Sequence, residues 1–114
     1  MEKKALRNLS YGLYIVSSRY KDKINGQIAN SVFQITSDPV TVGASIHKNN
    51  LSNEYIRESG FFTVSVLSVE ADLKFIARFG FRSGRDIEKF QDVKYVNAPS
   101  NIPAVVENSV SWLD

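Results

Sequence analysis

Residues 25–52 read NGQIANSVFQITSDPVTVGASIHKNNLS, and the fold turns on how this stretch is parsed. Asn25-Gly26 is a dipeptide that favours a tight turn with positive φ. From Gln27 to Thr36 the side chains alternate. Ile28, Asn30, Val32, Gln34 and Thr36 fall on one face, with Ala29, Ser31, Phe33 and Ile35 on the other. Ser37-Asp38-Pro39 ends that run, because proline cannot donate to a central ladder. Val40 to His47 is the next strand candidate, with Gly43 and Ala44 leaving room for a close neighbour. After the polar loop His47-Lys48-Asn49-Asn50, either Asn50 or Ser52 can cap a helix whose first turn carries Glu54.

Upstream, Leu13-Tyr14-Ile15-Val16 is a short apolar run suited to a buried strand. Ser17 to Asn25 then reads as the polar loop of a hairpin. Lys3 to Tyr11 can form a short helix ended by Gly12 in a left-handed conformation. Downstream, the capped helix turns Leu51, Tyr55 and Ile56 inward and stops at Gly60. Phe61 to Leu67 is rich in aromatic and β-branched residues and reads as a strand. A second helix from Ser68 would place Val69, Leu73, Ile76, Ala77 and Gly80 on one stripe. The loop Phe81 to Asp86, a single turn over Ile87 to Phe90 and a turn-rich segment from Gln91 to Pro103 follow. Val105 to Leu113 alternates again, with Val106, Val110 and Trp112 on one face. Antiparallel strands with two short inserted helices predict an α+β, mainly antiparallel fold, in the form of a small barrel.

The totals narrow the chemistry. At 114 residues the chain is one domain's worth. Fourteen Lys and Arg against twelve Asp and Glu leave +2, which makes no case for a nucleic-acid surface. No apolar run approaches the roughly 18 residues that cross a bilayer, and no signal-peptide core follows Met1, so the expectation is cytoplasmic. With no cysteine there is no disulfide, thiolate nucleophile or iron–sulfur ligation. One histidine, His47, cannot make a multi-His metal site within a chain. Neither a Gly-x-Ser-x-Gly elbow nor a Walker loop occurs. An enzyme of this composition would borrow its reactive group, although a carboxylate hydrolase stays open.

Three constellations could hold a ligand. Lys48 and Ser52 at a helix start suit an anion, or are a capped helix with a solvated lysine. Asn30-Ser31 with Gln34 could match the polar rim of a planar heterocycle, or be the wet face of a strand. Arg82, Ser83, Gly84, Arg85 and Asp86 with Lys89 could hold a phosphate or a dinucleotide, or form a solvated loop or an Arg–Asp network at a subunit contact. His47 could donate a proton or make one structural hydrogen bond.

Taken in order, several segments resemble the flavin reductase-like family, the FMN-binding split barrels that include NAD(P)H:flavin oxidoreductases, flavoredoxins and the flavin domain of high-molecular-weight rubredoxins. They are Tyr11 to Tyr14, Asn25-Gly26, Asn30 to Gln34, Ser37-Asp38-Pro39, Ser45 to Ser52, Glu58 to Val64, Ser83 to Asp86 and Lys89-Phe90. The resemblance implies a homodimeric barrel with non-covalent FMN. Asn30, Ser31, Val32, Phe33 and Gln34 would line the isoalloxazine. Ser45, His47, Lys48, Asn50 and Ser52 would hold the ribityl chain and phosphate. Ser83, Arg85 and Lys89 would lie near the flavin or the nicotinamide, from the same subunit or the other. It also implies NAD(P)H as co-substrate and free flavin or a rubredoxin-like protein as acceptor, with no catalytic acid or nucleophile from the protein and no metal. Members usually continue past the Trp112 strand, so the expectation is a single domain over 1–114 that lacks the last strands of its barrel. Two other readings stand beside the reductase: an electron-transfer flavoprotein and a cofactor-free oligomeric binding module.

Overall fold

The computed structural model describes residues 3–9 and 12–114. A 3₁₀ helix, Lys3–Asn8, opens it; Tyr11, the expected end of that helix, lies outside the described residues. A four-stranded antiparallel sheet follows. Its order is β2 (Lys23–Ala29), β1 (Tyr14–Tyr20), β5 (Thr63–Leu67), β8 (Ser109–Leu113). Two separate hairpins flank it, β3 (Val32–Ser37) with β4 (Val40–Ala44) and β6 (Tyr95–Asn97) with β7 (Pro103–Val105). Helix α1 (Leu51–Ser59) joins β4 to β5, and α2 (Leu73–Gly80) follows β5. This is the α+β, mainly antiparallel arrangement expected.

The central strand is covered on both faces, which is why it reads as a continuous apolar run. Ile15 enters one cluster with Phe79, Phe90, Val93 and Val105. Val16, pointing the other way, joins Ala29 and Val64, with Ile56 of α1 and Ile46 packed against them. Both Ile15 and Val16 are fully buried. Truncating a buried ring such as Phe79 costs about 3–5 kcal/mol.

Four sequence expectations need correction. First, Asn25-Gly26 is not the hairpin turn. β1 and β2 pair from Tyr14↔Ala29 to Tyr20↔Lys23, so the turn is Lys21-Asp22, and Lys21 supplies the positive φ of 57°. Ser17 and Ser18, expected in the loop, are buried in β1. Gly26 is needed for packing: a Cβ there would sit 3.2 Å from Ile15 and from the Phe79 ring.

Second, the run Gln27 to Thr36 is two strands, because the chain leaves the main sheet after Ala29 and begins β3 at Val32. β4 likewise ends at Ala44, short of His47.

Third, α2 starts at Leu73, where Asp72 caps it by accepting from the Phe75 N–H at 2.8 Å. Val69 and Leu73 are exposed; the buried face carries Phe75 and Phe79, one turn apart.

Fourth, Val105 and Val110 belong to different strands. Pro103 opens β7 in the segment expected to hold only turns, and Val110 and Trp112 of β8 are exposed.

Candidate functional site

Helix α1 begins where three local bonds wind the preceding loop. The Asn49 N–H donates to His47 Nδ1 at 3.1 Å, the Asn50 N–H to the His47 carbonyl at 3.1 Å, and Asn53 Nδ2 to the Ile46 carbonyl at 3.3 Å. His47 therefore has the structural role that sequence left open beside proton donation. The N–H groups of Asn53 and Glu54 turn back to the Asn50 carbonyl. The two amides ahead of them, of Leu51 and Ser52, are those a helix leaves for an external acceptor. Gly60, with φ of 82°, ends the helix by donating to the Ile56 carbonyl at 2.7 Å.

Facing this helix start is the loop after α2. Ser83 shapes it: its hydroxyl accepts from the Arg85 N–H at 3.1 Å, and its carbonyl accepts from Asp86 and Ile87 at 3.0 and 3.2 Å. Between helix start and loop lies a groove of about 470 Å³, within the range of small-molecule sites. Arg82, Arg85 and Lys89 line it with the amides of Asn25, Gln27, Asn49 and Asn50, and no carboxylate is among the described residues that do so. Such a lining favours an anion.

The groove floor is a buried polar junction on β2. Asn25 Nδ2 donates to Ser52 Oγ at 2.9 Å, tying β2 to the first turn of α1. Lys89 Nζ donates to the carbonyls of Gly26 and Phe79, both at 2.9 Å, tying the loop to β2 and to α2. Burial pulls the Lys89 ammonium down from 10.5 to about 8. A Cβ on Gly84 would collide with the Asn25 carboxamide oxygen, so the loop crosses that group as glycine. Gln27 Oε1 accepts from Asn50 Nδ2 at 3.1 Å.

The expected site residues thus fall into two groups. Asn50, Ser83, Arg85 and Lys89 line the groove, and Ser52 lies fully buried beneath it, its hydroxyl bonded to Asn25. Asn30, Ser31, Val32, Phe33, Gln34 and Ser45 gather instead at the start of the β3–β4 hairpin. There the Ser45 N–H donates to the Ser31 carbonyl at 2.9 Å, and Val32 and Phe33 pair with Ala44 and Gly43. Gln34 Nε2 donates to the Thr36 carbonyl, and Phe33 is half exposed. His47 and Lys48 lie exposed on the loop between the two groups. Sequence reasoning passed over Asn25 and Gln27 because the Asn-Gly pair reads as a turn. The signal against a turn was its position between Ile24 and Ile28, inside an apolar alternation. No cluster of described residues suits a metal ion, and no described helix is long and apolar enough to cross a membrane.

Residues 6–114 match the family model described as flavin reductase like domain. The chain belongs to this family. It is 44% identical over 114 residues to a high molecular weight rubredoxin of Moorella thermoacetica, covering all of this chain and 50% of that protein. It is 42% identical over 114 residues to a ferric-chelate reductase (NAD(P)H) of Archaeoglobus fulgidus, covering all of this chain and 68% of that protein. Among solved structures, an FMN-binding domain of a flavin reductases-like enzyme from Shewanella baltica superposes with a TM-score of 0.81 at 24% identity, over 90% of this chain and 55% of that one. The fold is therefore the family's split barrel, and the chain spans about half the length of the rubredoxin relative.

Proposed function

We propose that this chain is an FMN-binding, NAD(P)H-dependent flavin oxidoreductase, acting as one flavin domain over residues 1–114. The observation that carries the reading is the groove: three cationic side chains, side-chain amides and the start of a helix, with no described carboxylate lining it. Bound FMN would supply the redox chemistry, taking a hydride from nicotinamide at the flavin N5 and passing electrons to free flavin or a protein acceptor. The protein's part is to bind, orient and shield. Arg82, Arg85 and the Leu51 amide at the helix start hold the phosphate, with Lys48 beside them on the loop. The segment from Asn30 to Gln34, with Ser45, offers backbone groups to the ring. Lys89 and Ser52 act from below, fixing the walls that carry those donors. Exposed Phe33, Ile35 and Val40 on the β3–β4 hairpin suit burial against a second copy, in keeping with a homodimer.

Titration with FMN, followed by anaerobic addition of NADH or NADPH, tests the reading. The expected result is a yellow protein whose flavin absorbance bleaches; a protein that stays colourless with added FMN refutes it. A second reading, electron transfer to a rubredoxin-type partner, is favoured by the identity with the rubredoxin relative. Slow bleaching by nicotinamide with fast oxidation by a rubredoxin would select it.

A further inference from the structure

Helix α2 carries two ridges at helical spacing. Lys74 and Arg78 stand four residues apart, and Arg82 continues their row past the helix end. Beside it runs an apolar ridge of Leu73, Ala77 and Phe81, with Leu73 72% and Phe81 75% exposed. Phe81 still holds helical backbone, its N–H donating to the Ala77 carbonyl at 2.8 Å. The two rows meet at a cavity of about 410 Å³ lined by Lys74, Ala77, Arg78, Phe81 and Arg82. Among the described residues, the side chains of Lys74 and Arg82 have neither a hydrogen bond nor an ion pair. Arg78 Nη1 donates to the Gln91 carbonyl at 2.6 Å, which fixes the guanidinium and leaves its remaining N–H groups for a partner. Glu88 is the one carboxylate among the described residues that line the cavity. Glu70 and Asp72 lie ahead of the helix, and Asp72 is taken up in capping it.

Phe81 and Arg82 line both this cavity and the anion groove, so a body seated on the ridges also covers the groove's rim. The row from Lys74 to Arg82 runs about 12 Å at helical rise, a footprint for a protein surface rather than a small ion. Arginine beside an exposed aromatic ring is the composition of an interface centre, and unpaired cations complement a carboxylate-rich face. We propose that the α2 ridges are the docking surface for an acidic electron-carrier protein, which takes electrons from a flavin in the adjoining groove. The proposal rests on the flavin reading and adds to it where the acceptor sits and what charge it bears. Two carrier molecules in turn each accept one electron from the reduced flavin anion, one proton passes to solvent, and the flavin returns to its oxidised form. Encounters between redox proteins are small and transient, so the charges here act mainly on the rate of association.

Surface plasmon resonance tests it, with the full chain immobilised and a rubredoxin of negative net charge passed over it. The rubredoxin binds at low ionic strength. Lys74→Glu, at an exposed and unpaired position, cuts the association rate about tenfold, and that loss disappears at about 1 M salt, where screening acts within about 3 Å. Arg78→Gln weakens binding whereas Arg78→Lys keeps most of it, and Glu88→Gln acts in the opposite sense and tightens it. All four variants keep FMN affinity and bleaching by nicotinamide unchanged, which separates docking from the chemistry of the groove. Indifference of rubredoxin binding to Lys74→Glu, or equal binding of a basic electron carrier such as cytochrome c, overturns the proposal even where FMN binds. Tighter binding of duplex DNA or of anionic vesicles than of the rubredoxin also overturns it, giving the ridges to nucleic acid or membrane. Rubredoxin binding with the expected charge dependence, to a chain that takes up no FMN, would instead overturn the flavin reading and leave the docking surface standing.

Discussion

Replacing Lys89 by methionine separates two opposing effects of one buried ammonium. Its two 2.9 Å bonds to the Gly26 and Phe79 carbonyls are charge-assisted, and each contributes about 1.5–3 kcal/mol. Against them stands the burial that lowers its pKa from 10.5 to about 8, which costs about 3 kcal/mol at about 1.4 kcal/mol per pH unit. At pH 7 the two nearly offset, so Lys89→Met lowers stability by only about 0–3 kcal/mol. The pH dependence is more telling. The folded pKa lies below the unfolded one, so between about 8 and 10.5 the unfolded chain binds the extra proton. Stability contributed by Lys89 therefore rises with pH through that window and levels off above it. Tyr55, whose pKa is raised by burial, acts in the opposite sense at the alkaline end, but it is common to both proteins and cancels in the difference. Urea unfolding of both from pH 7 to 10.5 should show the wild-type advantage growing by about 3 kcal/mol. A difference that stays flat across the window refutes the reasoning.

Other substitutions probe the groove and its frame. Ser52→Ala leaves the Asn25 amide buried without its acceptor and should cost about 1–3 kcal/mol, whereas the exposed Lys48→Ala should stay within about 0.5 kcal/mol, both read by urea unfolding. Gly60→Ala meets open space but a φ of 82°, so its cost of about 1–2 kcal/mol is conformational alone and should appear as a lower melting temperature. Arg82→Gln should weaken FMN about tenfold at low salt, with the loss shrinking as ionic strength screens the groove; equal affinity of both proteins at low salt would remove Arg82 from the phosphate site.

What sequence made legible followed from local physics. The helix stop at Gly60, the acidic first turn at Glu54 and the apolar run through Ile15 and Val16 each depend on neighbours in the chain, and each was read correctly. The errors arose where burial overrode local preference. Asn25 and Gly26 have the chemistry of a turn, yet Ser52 and Lys89, 27 and 63 residues away, take up their polar groups. Val69 and Leu73 fit a helical stripe, but the Asp72 cap sets the start of α2 and turns Phe75 and Phe79 inward. The groove was half legible: the basic loop and the helix start were both singled out, but nothing in their spacing showed that they face each other. The β3–β4 residues, grouped with them by the resemblance, form a separate cluster in the structure.

The junction on β2 has a kinetic consequence. Its bonds close large loops, from Asn25 to Ser52 and from Gly26 to Lys89, and contacts of long sequence separation are entropically costly to form early. A partly folded chain holding only β1, β2 and α1 has one wall of the groove and none of its cationic loop. Ligand capture should therefore lag behind the burial of Val16 and coincide with the last refolding phase. A ligand that binds only the finished groove then stabilises the fold by mass action, because its lining residues, spread from Asn25 to Lys89, meet only in the folded chain.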